Sequence, residues 1–134
     1  MKPTHIEHIG IAVKDLQQSI QFYENVLGLR CSAVEELTNE KVKTAIFLVG
    51  QTKVELLEST APDGPIGKFI AKRGEGIHHV AFAVDNLPSV LEAVESKGVQ
   101  LIDSEPRTGA EGLNIAFLHP KSTHGVLIEL CEKP

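Results

Sequence analysis

Cysteine is scarce in this 134-residue chain. Cys31 and Cys131 are the only two, and neither belongs to a Cys-x-x-Cys pair. That excludes a disulfide-dense scaffold, weighs against a closed Cys-ligated zinc site, and suits reduced thiols in the cytoplasm. Long apolar runs are also missing. Nothing approaches the roughly 20 residues that a membrane helix needs, so no membrane association is expected. Met1-Lys2-Pro3-Thr4-His5 is followed by no apolar signal region, so no secretory targeting is read and the expected location is cytoplasmic. Basic residues do not dominate. Thirteen Lys and Arg stand against 18 Asp and Glu, a net charge of −5. That argues against a nucleic-acid partner, because nucleic-acid binding uses basic surfaces. It leaves room for an anionic small molecule met by a local cluster of cations.

What the chain does have is an internal repeat. Ile6-Glu7-His8-Ile9-Gly10-Ile11-Ala12-Val13 returns as Ile77-His78-His79-Val80-Ala81-Phe82-Ala83-Val84, which aligns His8 with His79. Val54-Glu55-Leu56-Leu57 returns as Ile128-Glu129-Leu130-Cys131, which aligns Glu55 with Glu129. Each half thus carries a His near its start and a Glu about 50 residues later. A lone half of about 65 residues would bury only about 60% of its surface on folding, so the halves are expected to share a core. One domain over 1–134 is expected, with modules at about 4–60 and 75–133 and a linker at 61–74.

Alternation in the first repeat predicts a strand, with Ile9, Ile11 and Val13 on one face and His8, Gly10 and Ala12 on the other. Small neighbours leave space in front of the His8 ring. Asp15 and Gln18 form a capping-box pattern that opens a helix. Leu16, Ile20, Tyr23 and Leu27 give it an apolar stripe for the core, and Gly28 ends it. Strands are predicted over 29–37, 42–50 and 53–58, with the turn Thr38-Asn39-Glu40-Lys41 between the first two. The Pro-, Gly- and Asp-rich stretch 59–67 reads as a linker, and 66–72 as a short helix. The second half repeats the order: a strand over 76–84, a helix over 86–97 with Leu87, Leu91 and Val94 on its stripe, and strands over 99–102, 113–119 and 125–131. Loops are expected over 105–112 and 120–124. The order strand-helix-strand-strand-strand, twice, predicts an α+β fold. Two paired βαβββ modules would form a curved eight-stranded mixed sheet around a metal-containing cleft.

The chemistry of the four repeated residues points to a metal. Glu55 shares a strand face with Leu57, and a carboxylate buried there without a partner would cost several kcal/mol. Two imidazoles and two carboxylates suit a first-row divalent ion such as Co, Zn, Ni or Mn. An octahedral ion held by four side chains keeps two positions for substrate oxygens. Each of the four, taken alone, has a plain structural reading as a core His or an ion-paired Glu; the ordered double set is what favours a ligand role. The expected metal ligands are therefore His8, Glu55, His79 and Glu129. With a carboxylate on each side of an acidic carbon, Glu55 and Glu129 could remove a proton on one face and return it on the other. His78 should point to the opposite sheet face, and His5 and His124 match nothing across the repeat and read as surface residues.

At these residues the chain resembles the vicinal oxygen chelate (glyoxalase I-like) superfamily. More narrowly it resembles the methylmalonyl-CoA epimerase family. The likeness lies in Asp85-Asn86-Leu87, Glu105-Pro106-Arg107-Thr108-Gly109, Gly76–Phe82 and above all the run from Phe117 to Leu130, with His119-Pro120-Lys121 at its start. The resemblance implies metal-dependent interconversion of (2R)- and (2S)-methylmalonyl-CoA by α-proton abstraction through a metal-chelated enolate. It implies metal binding by His8, Glu55, His79 and Glu129, with Glu129 as a base, and a homodimer. The chain departs from it in one place. Some members carry a base glutamate near the position of Thr44 and Gln at that of Glu55, so Glu55 is expected to take the second base role. Lys68, Lys72, Arg73, Arg107 and Lys121 are candidates to meet the coenzyme A phosphates. A glyoxalase I-like lactoylglutathione lyase shares the same ligand set. A dioxygenase would use iron with two His and one carboxylate, and a non-catalytic binding protein on this fold would need no metal.

Overall fold

The computed structural model describes residues 2–134. The chain divides into two compact units. One is His8–His78; the other is the chain up to Glu7 together with His79–Pro134.

In the unit His8–His78, strand β1 (His5–Ala12, which starts in the other unit) runs parallel to β4 (Thr52–Ser59), with Gly10 opposite Glu55 and Ala12 opposite Leu57. β3 (Val42–Val49) is antiparallel to β4, and β2 (Cys31–Leu37) is antiparallel to β3. The order is thus β2-β3-β4-β1. Period-two alternation splits the sheet's side chains between two layers. Ala45, Phe47, Leu56 and Val13 pack under helix α1 (Leu16–Gln21) through Leu16 and Ile20. Ala12, Val42 and Leu57 pack under helix α2 (Pro65–Arg73) through Ile66. α2 therefore covers one end of the face that carries His8 and Glu55.

Asp15 caps α1 as expected, its carboxylate accepting the Gln18 N–H at 3.0 Å. A second cap comes from far along the chain: Glu58 accepts the Leu16 N–H at 2.7 Å. The expected stripe is corrected at its end. Leu16 and Ile20 are buried, but Leu27 is 53% exposed. The reason lies at Phe22–Val26, where the chain winds as a wider turn and Leu27 bonds back five residues to the Phe22 carbonyl. One extra residue per turn rotates Leu27 off the buried face.

In the other unit, β5 (Gly76–Ala83) is parallel to β8 (Ile128–Glu132). β7 (Asn114–Leu118) is antiparallel to β8, and a two-residue β6 (Arg107–Thr108) is antiparallel to β7. Helix α3 (Leu87–Ser96) buries Leu87, Val90 and Leu91 against Ala116, Leu118 and Leu130. Its first turn repeats the device seen at α1. Asn86 accepts the Ser89 N–H, and Glu132 accepts the N–H groups of Asn86 and Leu87. Glu58 and Glu132 each lie three residues beyond a repeated glutamate. Each strand end thus sends one carboxylate to a helix start and another to the opposite face.

The strand expected over 99–102 is reduced to a single bridge between Leu101 and Leu118. The paired strand forms instead at Arg107–Thr108, inside a predicted loop. Asp103 explains the switch: its carboxylate accepts the Phe117 N–H at 2.9 Å and the Arg107 side chain at 3.1 Å. A side chain takes the edge that a continued strand would have paired. Among the described residues no helix is long and apolar enough to cross a membrane.

Candidate metal centre

His8 lies near the start of β1 and Glu55 on the neighbouring β4, pointing to the same face. Both are about 3% exposed, and His8 Nδ1 lies 3.4 Å from a Glu55 carboxylate oxygen. Gly10 sits directly opposite Glu55, so the backbone of β1 adds no side chain beside the carboxylate. Ile46 of β3 flanks it on the other side.

The second unit holds the matching pair. His79 on β5 and Glu129 on β8 are buried, and His79 Nε2 lies 3.2 Å from a Glu129 oxygen. Small Ala81 stands opposite Glu129 where Gly10 stands opposite Glu55. Phe117 flanks Glu129 as Ile46 flanks Glu55, and its ring meets the His79 ring edge-on at 5.5 Å. The Arg107 guanidinium lies 5.5 Å from the Phe117 ring centre and is tied to Asp103.

Within each pair the separation fits two ligands of one ion. Nitrogen and oxygen ligands about 2.1 Å from a metal lie roughly 3.0 Å apart at a right angle and about 3.4 Å apart at a tetrahedral one. Both His–Glu pairs fall in that range. In each unit the residue types, the burial and the spacing suit a borderline divalent cation.

The remaining histidines take other roles. His78 is half-buried with its ring edge-on to Phe69 at 5.0 Å. His5 is half-buried beside the Thr4 hydroxyl at 2.9 Å; His124 is exposed and takes a positive φ of 59°. His119 is structural. Its Nδ1 accepts the Lys121 N–H at 3.1 Å, and its backbone N–H donates to the Gln100 carbonyl, so it pins the turn at Pro120–Ser122. Of the candidate cations, Lys68, Lys72, Arg73 and Lys121 are exposed, the first three along α2.

A family profile described as the glyoxalase/bleomycin resistance protein/dioxygenase superfamily matches residues 7–117. Bacillus subtilis YqjC, itself uncharacterised, is 46% identical over 95% of this chain and 91% of its own. Human mitochondrial methylmalonyl-CoA epimerase is 36% identical over 93% of this chain and 72% of its own length. A solved structure described as methylmalonyl-CoA epimerase in complex with methylmalonyl-CoA and NH4+ superposes with a TM-score of 0.95 at 38% identity, over 98% of this chain and 96% of that one. The chain belongs to the methylmalonyl-CoA epimerase family. Membership of that family, within the glyoxalase superfamily, carries the expected fold: two βαβββ modules and an eight-stranded mixed sheet. The epimerases of this family are isomerases acting on acyl-CoA substrates. Against them the long C-terminal likeness now has a physical reading. Its His119-Pro120-Lys121-Ser122 segment builds a turn, and its Glu129 ends on the candidate centre.

Proposed function

We propose that this chain interconverts (2R)- and (2S)-methylmalonyl-CoA, using one divalent ion held by His8, Glu55, His79 and Glu129. The observation that carries this reading is the buried His–Glu pair at equivalent positions in each unit, with ligand atoms 3.4 and 3.2 Å apart. Family membership supplies the substrate class. When bound, the ion would supply Lewis-acid stabilisation of the negative charge that builds on the substrate oxygens as the α-proton leaves, a contribution of several kcal/mol.

The chain's own residues do the rest. Glu129 takes the α-proton from one face of the carbon, and Glu55 serves the other face. A carboxylate suits this work because one oxygen can stay oriented by its neighbour while the other receives the proton. Burial keeps competing water away from both carboxylates and strengthens each charge interaction. Lys68, Lys72 and Arg73 on α2, with Arg107 and Lys121, offer the positive charge that the coenzyme A phosphates require of an acidic protein.

Substrate choice tests the reading. Purified protein reconstituted with Co, Zn, Ni or Mn is expected to epimerise (2R)-methylmalonyl-CoA, followed by circular dichroism or a coupled assay, and to leave the glutathione–methylglyoxal hemithioacetal unchanged. Turnover of the hemithioacetal alone would move the assignment to a lactoylglutathione lyase.

A further inference from the structure

Thr44 lies in the middle of β3 and is completely buried. Its hydroxyl oxygen has no hydrogen-bond partner among the described residues. Leaving a buried hydroxyl unpaired is costly, and such a group calls for an explanation. Packing does not supply one. The sheet register maps Thr44 onto Ile115 of the repeat: Thr44 stands opposite Leu57, and Ile115 stands opposite Cys131. The second unit fills the equivalent place with a wholly apolar β-branched side chain. The fold therefore needs the shape at this place and not the oxygen.

The register also says what the oxygen is near. Antiparallel partners share a face, so Thr44 faces the same side as Leu57, and hence as Glu55 two residues before it. Thr44 and Glu55 are diagonal neighbours across β3 and β4. Such positions lie about 7–8 Å apart on the backbone, within reach of a long side chain meeting a short one. Glu55 is itself about 3% exposed, so water competes little for its carboxylate. Val42 and Leu57, on the same face, pack under Ile66 of α2 and close the far side with apolar groups. The register sets two carboxylates on this face beside the hydroxyl: Glu35 of β2 stands directly opposite Thr44 but is only half-buried, within reach of water, whereas Glu55 is the buried acceptor.

We propose that Thr44 is a positioning residue for Glu55: its hydroxyl donates a hydrogen bond to the Glu55 carboxylate when that carboxylate turns to hold the divalent ion. This rests on the metal site proposed above and deepens it. Groups that hydrogen-bond to a metal ligand fix its orientation, and their loss typically weakens metal affinity 10- to 100-fold. The device also makes the two repeated glutamates unequal. Glu55 has a hydroxyl diagonal to it, while Glu129 has Ile115 in that place. Glu55 is accordingly the more tightly held ligand and Glu129 the more mobile base.

The test uses Thr44→Val, nearly isosteric but without the oxygen, and Thr44→Ser, which keeps it. Metal-free Thr44→Val is expected to melt above the wild type, because an unpaired buried hydroxyl is gone. Its affinity for Co or Zn, measured by competition with a chromophoric chelator, is expected to fall 10- to 100-fold. Thr44→Ser is expected to bind the ion within about threefold of wild type, as its oxygen can make the same bond. A merely structural hydroxyl would not give this opposite pair of signs. Thr44→Val binding the ion as tightly as wild type overturns the inference, as does a melting point below that of the wild-type apoprotein. If the wild type takes up no divalent ion at all, the metal site itself falls and this inference with it.

Discussion

Glu129→Gln and Glu55→Gln are each expected to abolish net epimerisation while leaving α-proton exchange from one epimer intact. Net conversion needs a base on both faces of the carbon, whereas washout of the α-proton from a single epimer needs only the base on its own face. An amide keeps an oxygen for the metal but cannot accept the proton. The expected loss in kcat for the affected epimer is about 10²- to 10⁴-fold, the usual range for removing a general base. The check is proton NMR of each pure epimer in deuterated water, with metal content measured in parallel. The two variants should block opposite epimers. Equal loss for both epimers in both variants, at unchanged metal content, would refute the division of labour between Glu55 and Glu129.

The second large effect concerns the imidazoles. His8→Ala and His79→Ala each remove a proposed nitrogen ligand and strip a buried carboxylate of a neighbour that lies 3.4 or 3.2 Å away. Two consequences should appear together. A ligand at 100 times its dissociation constant stabilises the folded state by about 2.7 kcal/mol. Wild-type protein should therefore melt higher when Co or Zn is added, and either alanine variant should lose most of that rise. The metal-free variants should also melt below the metal-free wild type, because an uncompensated buried carboxylate is costly. Differential scanning calorimetry with and without metal reads both effects. A variant that keeps the full metal-dependent rise would remove that histidine from the ligand set.

How much of this was legible in the sequence depends on which interactions decide each element. The repeat was plain, because His8, His79, Glu55 and Glu129 sit in alternating strands whose period of two survives in the composition of each face. α1 and α3 were placed to within a residue or two at their starts, where Asp15 and Asn86 cap them. The misses are places where a single bond outside the regular helix or strand pattern overrides it, most of them between residues far apart in the chain. Asp103 occupies the β7 edge and displaces the expected strand at 99–102 to Arg107–Thr108. The wide turn at Phe22–Val26 throws Leu27 out of its stripe. The Glu58 and Glu132 caps join residues more than 40 positions apart, and no local window contains both partners. In principle their spacing was a signal, since each follows a repeated glutamate by three residues and so faces the other layer of the sheet.

Thr44 shows the same limit at the site. In sequence it marks only the want of a carboxylate on the third strand. Its importance came from burial and register, which set an unpaired hydroxyl diagonal to Glu55.

On the proposed reading, this protein moves the α-proton of methylmalonyl-CoA at a divalent metal held by the repeated His–Glu pairs. The most direct measurement is deuterium exchange at that carbon, by NMR, with protein stripped by a chelator and then reloaded with a single divalent ion. Washout that is absent in stripped protein and restored by the ion, with no change in substrate mass beyond deuterium, is the predicted result. Washout that persists undiminished in fully stripped protein, or that no divalent ion restores, would contradict it.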